Sequence, residues 1–408
     1  MHAFLLAIVA LWASQIAPRR PLCRTGSWPA LAAVLLVLGG NTALAQTPAE
    51  AAPPPYVINL LVSSHPRECT ARGYRPAISA LAGREVERIN REGGIAGRRI
   101  EIRLLDDRSE PGGTVSALDQ ALHNPDSLAI IGLSSSNRAD TAFKSLQSEI
   151  KSSGIPFISH ISVQDVFRNF PNVYSTQASQ EVERIPVMAQ FIKALGFHRV
   201  AFLGTSDSVY SQAIAKGLAE TIPASDWLGA YTLKRTGDTF DQQALRTSIE
   251  QLQSATPDLL VLGVGGRSAS DVLTQIRATG LAPALFVAGS IDRLPERLTS
   301  NYPNAIYQLA WDQLPEAYNA RVREVLAHGD KQKWAFAGRK NESAEGWITG
   351  ECKKQDATAA DDPLSPANLR AISTGARYAD MVALVAAATR SARKNDDIAT
   401  LRRSVLTS

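Results

Sequence analysis

From Tyr56 onward, apolar positions alternate between two spacings. "YVINLLVS" is apolar but for Asn59 and its terminal serine, and predicts a buried strand. In "RPAISALAGREVERINREGG", Ile78, Leu81, Ala82, Val86 and Ile89 recur at helical spacing and share one face. Gly93 and Gly94 stop that helix, one of them in the left-handed conformation of a C-cap. Gly97 helps make a basic turn that leaves Arg98 and Arg99 to solvent, and "RRIEIRLLD" then enters a strand ending in Asp106 and Asp107. "TVSALDQALHN" predicts a helix, "LAIIGL" a strand, "RADTAFKSLQSEIKSSG" one helix closed by Gly154, and "IPFISH" a strand. "RVAFLG", "PDLLVLGVG" and "APALFVAG" continue the series between further helices. Short Ile/Val/Leu strands alternating with helices specify an α/β fold with parallel sheets covered on both faces.

The chain has 408 residues, more than one compact core usually holds, so two lobes are expected. Its net charge of +4 is small, and Arg19, Arg20 and Arg24 supply most of it. The remainder has no basic stripe with which to neutralise phosphates, which excludes a nucleic-acid platform. The first residues read as an export signal. "PRRPLCRTGSWP" is a basic region, "ALAAVLLVLGG" an apolar one too short to span a bilayer, and "ALA" before Gln46 fits a cleavage site. The apolar stretch "AFLLAIVALWASQIA" ahead of the arginines is either a second anchor or the product of a start codon assigned too early. "AQTPAEAAPPP" reads as a disordered spacer. Cys69 and Cys352 remain after export, in a compartment that permits a disulfide, and nothing local brings them together.

Chemistry is sparse. Neither a dinucleotide-binding glycine fingerprint nor a P-loop lysine follows the first strand. No GxSxG elbow, metal-ligand spacing or Cys–His nucleophile context occurs, so neither a catalytic group, a metal site nor a cofactor is expected. Asp106 and Asp107 read as caps of the turn that follows them. Ser134, Ser135 and Ser136 stand between a strand and a helix, where free backbone N–H groups and hydroxyls suit a carboxylate; one serine is expected to cap the helix and another to face a cleft.

Several stretches in order resemble one family. "EVERINREGGIAGRRIEIRLLDDRSEP" resembles the first helix–turn–strand of the periplasmic leucine/isoleucine/valine-binding proteins, the type I solute-binding proteins of ABC importers. "LAIIGLSSSNRADTAF" resembles that family's ligand loop, "SGIPFISHIS" its second loop, "FPNVYSTQAS" a crossover between lobes, and "LGFHRVAFLGTSDSVYSQAIAKGL" the opening of lobe two. "RTGDTFDQQALRTSIEQLQSATPDLLVLGVGG" and "TGARYADMVALVAAATRSA" continue the likeness to about Thr407. The resemblance implies two doubly wound parallel-sheet lobes with a ligand cleft between them. It implies a periplasmic protein that passes a small-molecule ligand to a membrane permease, or alternatively a sensor that signals to a membrane partner. The expected segments are a signal at 1–45, a spacer at 46–55, lobe one at 56–177 and 303–408, and lobe two at 178–302. A final lobe-two segment that the family usually carries is not found after "LRRSVLTS".

The resemblance also implies site residues. Ser159, His160 and Ser162 lie in the second loop, where His160 replaces a common proline and Val163 a threonine that holds an amino acid backbone. His160 is either a polar group at the cleft or a loop histidine held by a backbone carbonyl. Tyr210 matches an aromatic of the lobe-two cleft wall, with Ser211 in place of the glycine after it; alternatively it packs the helix N-terminus. Gly265 permits close backbone approach or makes a turn, and Asp292 is an ammonium partner or a surface acid. The implied ligand carries a carboxylate and is an amino acid or a related acid.

Overall fold

The computed structural model describes residues 53–63, 71–177, 180–236, 239–264, 266–288, 302–308, 366–394 and 396–408. The expected signal, Cys69, Cys352, Gly265 and Asp292 lie outside them.

Lobe one begins with β1 (Tyr56–Val62), α1 (Ala71–Arg91), β2 (Ile100–Asp106), α2 (Pro111–Leu122) and β3 (Ser127–Gly132). It continues through α3 (Ser136–Ser145), α4 (Gln147–Ser153), β4 (Phe157–Ser159) and β5 (Val173–Ser175). All neighbouring strands are parallel, in the order β2-β1-β3-β4-β5. β1 is buried along its whole length, as its mostly apolar sequence requires, and the buried Asn59 donates to the Ser127 hydroxyl at 2.7 Å. Ile58 and Leu60 have no accessible surface, and each contributes roughly 1.5–3 kcal/mol by burial. The predicted stop of α1 is present: Gly93 and Gly94 have φ of 104° and 75°.

Two local expectations are corrected. The stretch through Ser153 is two helices, because the chain leaves helical geometry at Leu146 (φ −120°, ψ 31°), which lets the buried side chains of Leu146 and Ile150 enter one core with Phe143. Arg98 is not left to solvent: its guanidinium sits 4.1 Å from the centroid of the Tyr56 ring and bonds Asp126 at 2.8 Å and the Pro54 carbonyl. Arg99 is exposed as expected.

Lobe two contains α5 (Glu181–Ala194), β6 (Val200–Thr205), α6 (Val209–Thr221) and β7 (Trp227–Leu233). A small hairpin, β8 (Arg235–Thr236) with β9 (Thr239–Phe240), leads to α7 (Gln242–Ala255), β10 (Leu259–Leu262), α8 (Gly266–Ala278), β11 (Ala284–Val287) and β12 (Ile306–Gln308). The sheet order β12-β11-β10-β6-β7, read from the β7 edge, repeats the winding of the first sheet. β12 pairs with β11 from Ile306 to Gln308, so the second sheet runs past the boundary expected at 302. The helix α9 (Pro366–Ala388) packs against α1 through Tyr378, Met381, Val382 and Val385, and α10 (Ile398–Thr407) adds Leu401 and Val405 to the same core. Among the described residues no helix is long and apolar enough to cross a membrane.

Candidate functional site

In each sheet the winding reverses between two strands, β1 and β3 in the first and β6 and β10 in the second. Loops leaving the carboxyl ends of such strands diverge and open a crevice. The serine loop leaves β3 at such a point. Gly132 has φ 133°, and a Cβ there would run into the Leu61 carbonyl. Leu133 follows at φ 60°, a left-handed conformation that costs a branched residue about 1–2 kcal/mol. Burial of its side chain and a bond from the His160 N–H to its carbonyl hold it there. The turn exposes Ser134. Ser135 caps α3, its hydroxyl accepting from the Arg138 N–H at 3.4 Å. Ser136 is nearly buried, with its hydroxyl 3.4 Å from that of Ser162. Ser135 is thus the capping serine of the three.

The second loop starts at β4. Ser159 has no accessible surface, and its hydroxyl donates to the Tyr174 carbonyl at 2.8 Å. This corrects the expectation for Ser159, which ties β4 to β5 rather than facing a crevice. Among the described residues, no backbone carbonyl holds the His160 ring. Its Nε2 lies 3.0 Å from Arg377 Nη1 on α9. A guanidinium only donates, so Nε2 is the acceptor and the neutral ring carries its proton on Nδ1. Burial pushes the ring pKa down to about 4, and the charges of Arg377 and Arg184 add to that effect. Nδ1 itself is buried without a hydrogen-bond partner among the described residues.

On the lobe-two side, Tyr210 stands in the first turn of α6. Its hydroxyl donates to the Ala288 carbonyl at 2.7 Å and accepts from Arg184 at 3.1 Å. The ring packs at the margins of the cores of both lobes, so it lies where the lobes meet. Desolvation pushes its phenol pKa up. Ser211, in place of the family glycine, fills the space above Gly204, and its hydroxyl accepts from the Thr205 N–H at 2.9 Å. A Cβ at Gly204 would collide with that hydroxyl and with Phe202.

Sequence reasoning missed Glu181, Arg184 and Arg377. Glu181 and Arg184 are each only 4% exposed. The Glu181 carboxylate accepts from the Gln164 N–H at 2.8 and 3.0 Å, and desolvation raises its pKa. Desolvation likewise lowers the pKa of Arg184. A signal existed: both fall in register with the buried stripe Ile185, Met188 and Ile192 of α5, where a charge is costly unless something polar meets it. Asn137 was also passed over. Its side-chain oxygen accepts from the Val209 N–H at 2.7 Å, and its nitrogen donates to the Asp207 carbonyl at 2.8 Å. Ser136 meets Ser162, His160 meets Arg377 and Arg184 meets Tyr210, the charge of Arg184 acts on His160, and Asn137 bridges the lobes.

Asp106 and Asp107 cap their turn, accepting from the N–H groups of Arg108 and Ser109. Asp107 is also buried beside Arg138, with 3.6 Å between Nε and the carboxylate, and so anchors α3 to β2. A separate groove of about 810 Å³ between β7 and α7, lined by Leu228, Tyr231 and Gln251, shares no residue with this constellation.

The chain matches the family model described as periplasmic binding protein over residues 82–401. No curated protein matches it in sequence. Among solved structures, a periplasmic binding protein type 1 from Bordetella pertussis Tohama I aligns with a TM-score of 0.60 at 19% identity, covering 86% of this chain and 88% of that one. A leucine binding protein, LivK, from Thermotoga maritima aligns with a TM-score of 0.57 at 15% identity, covering 86% of each chain. A branched-chain amino acid transporter substrate binding protein, LivJ, from Streptococcus pneumoniae in complex with isoleucine aligns with a TM-score of 0.54 at 16% identity, covering 86% of this chain and 88% of that one. At these identities the likeness is one of fold.

Proposed function

Because the chain belongs to the periplasmic binding protein family, we propose that it is an exported solute-binding protein that holds a small carboxylate-bearing solute between its lobes. The solute is an amino acid or a related acid, and the protein delivers it to the membrane permease of an ABC importer. In this reading the segment up to Ala45 is a cleavable leader, and the mature protein works in the periplasm without catalysing a reaction.

The observation that carries the reading is His160. Its neutral ring has a buried N–H donor at Nδ1 with no acceptor among the described residues, beside Arg377 and within the field of Arg184. A buried donor left unmade costs about 1–3 kcal/mol, which a ligand oxygen would recover. Positive neighbours favour an anionic oxygen over a neutral one. The hydroxyls of Ser136 and Ser162, with Ser134 at the open side of the same loop, are proposed to complete the acceptor-binding edge. Tyr210 is proposed as the wall on the lobe-two side. Gly265 and Asp292 are proposed as further contacts, Asp292 as the partner of a ligand ammonium. The names of LivK and LivJ make branched-chain amino acids the first candidates, while Val163, which offers no hydroxyl, widens the set to deaminated acids.

A thermal-shift screen of the secreted protein against amino acids, their keto acids and the matching amides tests this. A solute at 100 times its dissociation constant adds roughly 2.7 kcal/mol of stability. Stabilisation by carboxylates and not by their amides is expected. Equal stabilisation by a neutral amide or a sugar overturns the carboxylate assignment.

A further inference from the structure

The two lobes touch through α3 and α6, and among the described residues the side chain of Asn137 makes the polar part of that contact. Asn137 lies one residue inside the N-terminus of α3, after the capping Ser135 and the buried Ser136. Its amide reaches across to the turn that opens α6. The oxygen takes the N–H of Val209, and the nitrogen gives a hydrogen bond to the carbonyl of Asp207. Val209 is the first residue of α6, so its N–H has no partner within its own helix. The Ser208 hydroxyl serves a different donor, the Ser211 N–H. Asn137 therefore supplies from lobe one a cap that lobe two does not supply for itself. Around it the contact is apolar: Val209, Tyr210 and Ala213 pack against the lobe-one core that contains Leu133, Ala139 and Phe143.

Both functions of an amide, one donor and one acceptor, are used in opposite directions on consecutive parts of one turn. Aspartate offers only acceptors at neutral pH, and serine and threonine are too short to span both groups. The site is thus matched to asparagine or to a side chain of its shape.

We propose that Asn137 is a positioning residue that clasps the lobes together without help from a solute, so that the ligand-free protein already populates the closed arrangement. Lobe closure in this architecture is a hinge equilibrium, and a contact present only in the closed state shifts that equilibrium by its own free energy. The apparent affinity for any solute that needs the closed cleft scales with the closed fraction. Asn137 thereby sets resting closure and affinity while touching no solute. Solute identity does not enter this inference, and it stands or falls separately from the carboxylate assignment.

The test uses the mature protein free of solute, with one spin label on an exposed site of each lobe, and reads the interlobe distance distribution. Wild type is expected to show a dominant short distance. In Asn137→Ala the ratio of closed to open molecules is expected to fall by about tenfold, the effect of losing two half-exposed hydrogen bonds. Asn137→Asp separates a clasp from a folding role, because it keeps the shape. At neutral pH its carboxylate faces the Asp207 carbonyl and is expected to open the lobes as alanine does. At about pH 4 the protonated acid can donate to that carbonyl, and partial return of the short distance is expected in Asn137→Asp but not in Asn137→Ala. Unchanged distance distributions in both folded variants overturn the proposal. So does a wild-type protein that is fully open without solute, or an Asn137→Asp variant that tracks Asn137→Ala at both pH values.

Discussion

His160 offers a stability measurement that needs no solute. Its ring is buried, its Nε2 is engaged by Arg377, and its pKa is pushed from 6.5 down to about 4. The unfolded chain therefore takes up this proton before the folded one does. The stabilisation that comes from a neutral ring is complete above pH 6.5 and is lost as pH falls towards 4. The gap corresponds to about 2 kcal/mol between about pH 7 and 4.5, approaching 3 kcal/mol in stronger acid. Other groups titrate in the same window. The carboxyls of Glu181 and Asp107 have raised pKa values through desolvation and act with the opposite sign. A comparison with His160→Gln cancels them, because glutamine keeps an acceptor for Arg377 and does not titrate. Urea denaturation of both proteins at several pH values between 7 and 4.5 should show wild type losing about 2 kcal/mol more than the variant. Parallel curves would refute the burial and tautomer argued for His160.

Asn172 is 4% exposed and its amide donates to the carbonyls of Ile150 and Ile155 at 2.8 and 2.9 Å, so Asn172→Ala strands two acceptors and should cost about 2–4 kcal/mol by urea denaturation. Gly204→Val places a side chain against Ser211 and Phe202 and should destabilise lobe two by about 1–3 kcal/mol, visible as a lower unfolding midpoint. Ser136→Ala with Ser162→Ala should weaken solute affinity by about tenfold while leaving the α3 cap on Ser135 intact, as read by calorimetric titration. A carboxylate that accepts from His160 Nδ1 raises the ring pKa, so binding should take up protons near pH 5, measurable as a buffer-dependent binding enthalpy.

The parallel sheets were legible because β1, β3 and β10 are short, mostly apolar runs, buried throughout, and the helices between them keep a helical period. The break at Leu146 was not, since apolar spacing runs through it and only the packing of Phe143 and Ile150 reveals it. The serine loop was legible as a strand-to-helix turn, although the assignment of the cap to Ser135 required the geometry of Leu133. Arg377 lies 217 positions from His160 in the chain, and no local pattern could pair them. Asn137 is hidden for a similar reason: a polar residue in the first turn of a helix is ordinary, and its role depends on what the other lobe brings to it.

The measurement that tests the account most directly is calorimetric titration of the mature protein with leucine, its keto acid and leucinamide, alongside the best carboxylate from the thermal screen. The account predicts saturable binding for at least one carboxylate, loss of that binding when the carboxylate is replaced by an amide, and a weaker constant in the Ser136→Ala, Ser162→Ala double variant. Tight binding of a neutral amide or sugar that the double variant leaves unchanged would contradict it.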